Sequence, residues 1–455
     1  MGTHGPYPTR RMNTPMAMGG SGRLETVTNP RDGENRPAIL LAGASVRWAA
    51  QSLRRGMPNS RVIGLDWFGD SDTRMVCDQF HPFQTGEDSQ ENLSQQIQSV
   101  ANLHAARTIH VGGLQVPGGG KPWQRWNRLQ AIVREIAAGS DCGEFPVATP
   151  ITYQCSAGRC SLTGANDGVV VVGDLIAQTS GRPIHWLWKE TNSTGGMGVR
   201  SVAPSNMSNS KTSDGWMQQR VAGRSYGLVA IASADQTRIL GITVGLHQRF
   251  DDRPFVYSGS RGPVSRIGDA GVSDVPWRHL QTLSEQVAKS FSLRGLFNLD
   301  FIRDASGRWW LLELNARPSA SCEVIERWAT DAGWLAPDDS LMRMHMEAID
   351  GGDSTSRFDG DSQTAVWSSP IVRTQWNKRI VFANREGVVD VGRIRRRLCA
   401  ESIIIELADL PTERTRVAIG EPIMTLLLRV DDRAKKMASA QLRRAIRIVQ
   451  GELLP

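Results

Sequence analysis

NLDFIRDASGRWWLLELN, residues 298–315, is a run of Phe, Leu, Ile and Trp interrupted by Asp300, Glu313 and Asn315. Asp304-Ala-Ser-Gly is turn chemistry between two β-prone halves, so the stretch is expected to fold as a hairpin. With Arg303 facing Arg308, Leu299 pairs with Leu312, Phe301 with Trp310 and Phe297 with Leu314, and one face is wholly apolar. The period-2 rule sends Asn298, Asp300, Leu311, Glu313 and Asn315 to the other face. In that register Asp300 and Glu313 stand diagonally across the pair, roughly 7 Å apart at Cβ. Two carboxylates and an amide on one rigid surface suit a hard divalent cation. Mg²⁺ prefers oxygen ligands, keeps several waters and is commonly shared with substrate phosphates. The plainer alternative is an exposed face whose acids pair with Arg303 and Arg308.

Upstream, PIHWLWKETNSTGGMGVRSV (183–202) holds an alternating run ending at Lys189, a glycine loop with Gly195, Gly196 and Gly198, and a return strand from Val199 to Val202. Glycines let backbone N–H groups approach phosphate oxygens closely. The segment is not a P-loop, because Lys189 precedes the glycines and no Gly-Lys-Ser/Thr follows them. A lysine strand beside a glycine flap suits a lid that clamps a nucleotide, although an ordinary glycine-tipped hairpin would read the same. The chain has seven lysines among 53 basic residues, so a lysine between tryptophans and glycines is a marked choice. WMQQRVAGRSYGLVAIA (216–232) then gives a short run, Gly223 and a strand, a connector that can offer backbone groups to the edge of adenine.

In this order the pieces resemble the ATP-grasp superfamily over roughly residues 126–345: the lysine strand and flap, the connector Met217–Gly223, then Leu-Asp-Phe-Ile and Leu-Glu-Leu-Asn-Ala-Arg-Pro (312–318). The Asn-Ala-Arg-Pro-Ser-Ala-Ser run looks like the carboxylate–amine ligase branch. The chain also has a general likeness to the tyramine–glutamate ligase-like proteins of one-carbon cofactor pathways. The resemblance implies ATP and one or two Mg²⁺ ions, with Mn²⁺ as an alternative. It implies that Lys189 contacts the α- and β-phosphates, Gly195, Gly196 and Gly198 form the flap, and Gln218, Gln219 and Val221 lie along adenine. It makes Asp300, Glu313 and Asn315 the metal ligands and turns Arg317 toward the acyl phosphate or acceptor. A second phosphate-contacting lysine, usual in the family, has no counterpart between residues 122 and 188; Arg128 or Lys121 is the substitute to expect. Arginine is bulkier and delocalised, so the exchange would alter the site.

Length and composition agree with such an enzyme. The 455 residues suggest about three domains, and 40% hydrophobic with 22% charged residues is a globular composition. No apolar run approaches the roughly 20 residues needed to span a bilayer, and the start of the chain lacks a signal-peptide core. Six scattered cysteines suggest reduced thiols and a cytoplasmic address. Cys155 and Cys160 form the one close pair, and with no second pair a zinc or redox role is disfavoured. The formal charge of +7 gathers late, in 392–398, 433–436 and 442–448, without the interleaved aromatics of a single-strand-binding surface, so nucleic acid is disfavoured as a partner.

The expected architecture is α/β and α+β: an ATP-grasp fold with a Rossmann-like domain before it and a small C-terminal β-rich segment. Residues 1–36 are expected as a disordered tail and 37–125 as the Rossmann-like domain, from AILLAGAS (38–45), RVIGLDW (61–67) and TIHVGGL (108–114). Residues 126–345 form the grasp domain, and 346–455 form the β segment and closing helix. The expected activity is an ATP-dependent carboxylate–amine ligase working through an acyl phosphate on small-molecule carboxylate and amine substrates, as a monomer or homodimer. Two rival readings are a degenerate grasp protein that binds nucleotide without turnover, and a basic scaffold or nucleic-acid-binding protein. Ser258–Val264 is a further stretch that could help form the acceptor pocket.

Overall fold

Ala38-Ile-Leu-Leu-Ala42 carries no polar residue, as a parallel strand covered by helices on both faces requires. In the structure, a computed structural model, it is the inner strand β1 of a parallel four-stranded sheet with β2 (Arg61–Asp66), β3 (Gln79–Pro82) and β4 (Arg107–His110), in the order β3-β2-β1-β4. Helix α1 (Arg47–Gly56) packs on Ile39 and Leu41, and α3 (Gln90–His104) on Leu40 and Ala42. Helix α2 (Ser71–Val76) leads into β3. This is the expected Rossmann-like unit, with β3 as a strand the sequence did not announce. The structure describes residues 36–84, 90–113, 122–139, 145–156, 159–162, 169–171, 185–191, 194–202, 215–264, 275–352 and 374–455. The expected tail through residue 35, Lys121 and the linker from residue 353 lie outside these ranges.

Helix α4 (Pro122–Ala138) and strand β5 (Val147–Ala148) lead to an antiparallel sheet of β6 (Thr152–Ser156), β7 (Arg159–Leu162), β8 (Val169–Val171), β9 (Trp186–Glu190), β10 (Val199–Val202) and β11 (Gly215–Gln219), in the order β10-β9-β11-β6-β7-β8. Cys155 on β6, opposite Cys160 in register, is disulfide-bonded, so the expectation of reduced thiols fails at that position. Cys77, Cys322 and Cys399 are free.

The largest sheet has nine strands: β12 (Arg224–Ala232), β13 (Thr237–Phe250), β14 (Arg253–Gly262), β15 (Gly295–Arg303), β16 (Trp309–Asn315), β17 (Thr374–Phe382), β19 (Glu406–Ala408) and β21 (Pro422–Asp431) join β5. Their order is β19-β21-β17-β14-β13-β12-β15-β16-β5. Strands β18 (Gly387–Val389) and β20 (Thr415–Val417) pair separately. The C-terminal strands therefore extend the central sheet, because β17 pairs along β14. One face buries Phe297, Leu299, Phe301 and Leu311 against α4 and α5 (Trp277–Ser290). The other buries Val229, Ile231 and Leu296 against α6 (Cys322–Asp331) and α7 (Leu341–Ile349).

The hairpin forms as expected, but its register does not. Asp304 N–H bonds Arg308 O at 3.0 Å, and the Asp304 carboxylate takes the N–H groups of Ser306 and Arg308 and the Trp310 indole. The loop thereby spends one residue more, and Arg303 pairs with Trp309. A bulge near Leu312 adds another shift, so Leu299 faces Leu314 and Asp300 faces Glu313 directly. The cause is burial: Leu311 and Leu314 both enter the core, and three residues apart they can do so only if one extra residue is inserted. Trp309 and Leu311 thus hold the core positions assigned to Trp310 and Leu312.

Helices α8 (Val391–Ala400) and α9 (Lys435–Gly451) close the chain over a core containing Ile394, Leu398, Ala445 and Val449. Their arginines stay outside, several paired with Glu401 and Glu452. No helix among the described residues is long and apolar enough to cross a membrane.

Candidate functional site

Asp300 sits where β15 leaves the cover of α6 and α7. Its Oδ1 accepts Asn298 Nδ2 at 2.6 Å and its Oδ2 accepts Asn315 Nδ2 at 2.9 Å. Asn298 is held in turn by Ser321 Oγ at 3.1 Å and Ser319 Oγ at 3.3 Å, both from the start of α6. Burial, followed by the facing charge of Glu313, pushes Asp300 up to about 7. Glu313 is exposed and projects beside it. Two carboxylates facing across one rung, with an amide next to them, repel unless a cation joins them. The donor set therefore fits a hard divalent ion. Among the described residues no group of three or more His, Cys, Asp or Glu offers a competing metal site.

Lys189 comes to this surface from the other sheet. On β9 it pairs with Val199 and Trp216. Burial lowers its pKa, and the charges of Glu313 and Asp300 act in the opposite direction. The lysine and the two acids therefore share one electrostatic environment although they lie on different sheets.

The flap is fastened at both ends. Thr194 Oγ1 donates to Gly113 O at 3.0 Å, which ties the loop to the end of β4. Tyr257 N–H donates to Gly195 O at 2.8 Å, and Glu190 N–H to Gly198 O at 3.0 Å. Gly195 and Gly196 have φ of +61° and +75°. A Cβ on Gly196 would lie 1.9 Å from Phe255 O, whereas one on Gly195 meets nothing within 4 Å. The two glycines thus predict different outcomes. Gly195→Ala carries only the left-handed backbone cost of about 1–2 kcal/mol. Gly196→Ala must also push the flap off β14 and should weaken MgATP binding by a clearly larger factor, read by titration calorimetry.

At the connector, the Gln218 side chain is buried and donates to Thr152 Oγ1 at 3.1 Å, so it serves the lid sheet. Gln219 N–H and Arg220 N–H are taken by Ile151 O and His185 O. Val221 has no hydrogen bond among the described residues, which leaves its backbone for a ligand edge. Arg317 N–H bonds Asn315 O at 2.8 Å. Its guanidinium charge acts to lower the pKa of Asp300 and, after burial, that of His110 at the end of β4. Gly112 faces Pro318–Ala320, so the carboxyl ends of β1 and β4 open onto the end of β16.

Arg128 is not the substitute for the family's second lysine. It lies exposed on α4, with Nε 2.5 Å from Ser290 Oγ and Nη1 3.2 Å from Glu135. That helix covers the opposite, apolar face of the central sheet. Ser258 and Ser260 are buried within β14. Asn298, Ser319 and Ser321 were missed as site residues, although Asn298 shares a strand face with Asp300. Glu323 and Lys378 were missed because 55 residues separate them.

Residues 176–321 match the family model of the ATP-grasp domain. A search among curated proteins finds no sequence match. Among solved structures, the carboxyaminoimidazole ribonucleotide synthase from Aspergillus clavatus complexed with ATP has a TM-score of 0.58 at 11% identity, over 92% of this chain and 100% of that one. The biotin carboxylase of Campylobacter jejuni, in a β-γ-ATP complex, has a TM-score of 0.57 at 12% identity, over 92% of each chain. The N5-carboxyaminoimidazole synthetase of Staphylococcus aureus reaches 0.55 at 10% identity, over 90% and 97%. At these identities the likeness is one of fold. The flap and the hairpin fall within the matched ATP-grasp domain, and the fold of the chain is similar to that of the solved ATP-grasp structures.

Proposed function

We propose that the protein is an ADP-forming, ATP-dependent carboxylate–amine ligase. The observation that carries this reading is that Asp300 and Glu313 face each other on the central hairpin, and that Lys189, on the strand leading into the glycine flap, lies within reach of their charges. The substrate carboxylate attacks the γ-phosphorus of ATP, the bond to the β-phosphate oxygen breaks, and ADP leaves with that electron pair. The amine then attacks the acyl carbon, the bond to the phosphate oxygen breaks, and phosphate departs with that electron pair while the nitrogen gives up one proton, which leaves with the phosphate. Lys189 faces charge that builds on the phosphate oxygens, and the flap N–H groups exclude water from them. Asp300, Glu313 and Asn315 would hold Mg²⁺, which neutralises the terminal phosphates. Val221 offers backbone groups to adenine, with Gln218 and Gln219 stiffening the strand before it. Arg317 would hold the acceptor or the tetrahedral oxyanion with its two-pronged donors.

The Asn-Ala-Arg-Pro-Ser-Ala-Ser run supports the ligase branch, and the chain's general likeness to tyramine–glutamate ligase-like proteins supports a role in a one-carbon cofactor pathway. The test is the leaving group. Turnover should give ADP and phosphate in equal amounts, and hydroxylamine should trap the activated acid as a hydroxamate when the amine is withheld. AMP and pyrophosphate as products would exclude this mechanism. MgATP binding without turnover, across a screen of acids and amines, would leave a nucleotide-binding grasp protein.

A further inference from the structure

Helix α8 carries Arg393, Arg395, Arg396 and Arg397, and α9 carries Lys435, Lys436, Arg443, Arg444 and Arg447. Neither helix contains a carboxylate, so nine cations on two helices exceed the formal excess of +7 of the whole chain. Part of this charge ties the helices together: Glu401, just after α8, takes Arg397 and Arg444, and Glu452, just after α9, takes Arg393. The outer stripe of α9 is different. The buried positions of that helix are Ala438, Ala445, Ile448 and Val449. At 3.6 residues per turn, Lys436, Arg443 and Arg447 fall within about 40° of one another on the opposite side, and all three are exposed. This placement works against the helix that bears it. Arg443 and Arg447 are like charges at i and i+4, and Lys435 and Lys436 put cations in the first turn, where the backbone dipole is already positive. An anion from outside the chain would offset both costs.

The kind of anion follows from what lies between the charges. Arg443, Ile446 and Arg447 line one surface depression of about 400 Å³, so an apolar wall stands between two guanidinium groups. Ile446 is only partly buried against the C-terminal core. A phosphodiester backbone has no apolar side group to fill such a hollow, and neither helix carries an aromatic residue on which a base could stack. An anionic membrane takes up an apolar helix face, but here the apolar faces of both helices are buried in the core around Ile394 and Val449. A protein segment with carboxylates on either side of an aliphatic side chain matches charge and shape together.

We propose that the outer face of α9 docks an acidic segment of a partner protein, with Arg443 and Arg447 pairing to carboxylates and Ile446 receiving the aliphatic side chain between them. This docking is independent of the ligase reading. The experiment follows the fluorescence anisotropy of a labelled octapeptide, Glu-Glu-Leu-Glu-Glu-Leu-Glu-Glu, titrated with the full chain at physiological ionic strength. The double reversal Arg443→Glu/Arg447→Glu should weaken binding about tenfold or more, the scale of losing close charge pairs at an interface. Arg278→Glu/Arg294→Glu makes the same change of net charge at two other exposed arginines and should stay within about twofold of wild type. Serine in place of both leucines of the peptide should cost about fivefold or more, as expected when one apolar side chain is no longer buried. If the double reversal fails to fold in a thermal melt, Arg443→Gln/Arg447→Gln carries the test, with a loss of about fivefold expected. Four results overturn the proposal: no binding of the peptide by wild type, an unchanged affinity in the folded α9 variant, an equal loss in the Arg278→Glu/Arg294→Glu control, or equal affinity for the leucine and serine peptides. A DNA duplex bound through Arg443 and Arg447 as tightly as the peptide would also overturn it and make this a nucleic-acid face.

Discussion

Glu313→Gln should abolish Mg²⁺-dependent ATP consumption, by roughly 10²–10³-fold, the scale of losing one preorganised electrostatic contact. The substitution keeps the shape of the side chain and removes its charge. Glu313 is exposed, faces Asp300 across the hairpin and contributes no packing to the core around Leu299 and Leu314. The melting temperature without ligand should therefore stay within about 2 °C of wild type. Initial rates over a Mg²⁺ series, together with a thermal melt, read both effects. A variant that keeps its rate, or one that fails to fold, would show that Glu313 is no metal ligand.

The second large effect concerns stability. Glu323, fully buried at the start of α6, accepts both Arg47 Nη2 contacts at 2.8 Å and Lys378 Nζ at 2.8 Å. Arg47 also bonds Asp409 at 2.8 Å, so the cluster joins the Rossmann-like unit, the central sheet and the C-terminal segment. Glu323→Gln takes the paired carboxylate from buried Lys378 and leaves Arg47 to Asp409 and Asp72, and should cost about 3–5 kcal/mol. Burial pushes the Glu323 pKa up, but Arg47, Lys378 and Arg327 outweigh it and hold the carboxyl at about 2, below its ordinary 4.5. A depressed carboxylate contributes its full stability above the unfolded value and loses it as pH falls. The gap between wild type and variant should thus be largest above pH 4.5 and narrow toward pH 2. Urea denaturation across that range checks it, and a gap independent of pH would mean that Glu323 acts through packing alone.

These two residues differ in how legible they were. Glu313 lay within a local pattern: polar residues alternating with Leu and Trp on either side of a turn sequence. Alternation of that kind reports which side chains share a strand face, because the period belongs to the backbone itself. The same local logic reached Lys189, the glycine flap, the parallel strands of the first unit and the closing amphipathic helix.

By itself, then, the sequence determined many of the elements, their order, and which short runs held the residue types proposed to bind cation and phosphate. Tertiary structure alone decided the register that sets Asp300 against Glu313, because the bulge answers to Leu311 and Leu314 entering one shared core. It also decided that the C-terminal strands join the central sheet, that Arg128 lies on the opposite face, and that Glu323, Lys378 and Arg47 meet in one buried cluster. Hydrophobic periodicity acts over a few residues, whereas the pairing of buried charges depends on which distant segments the core brings together, and no local pattern encodes that.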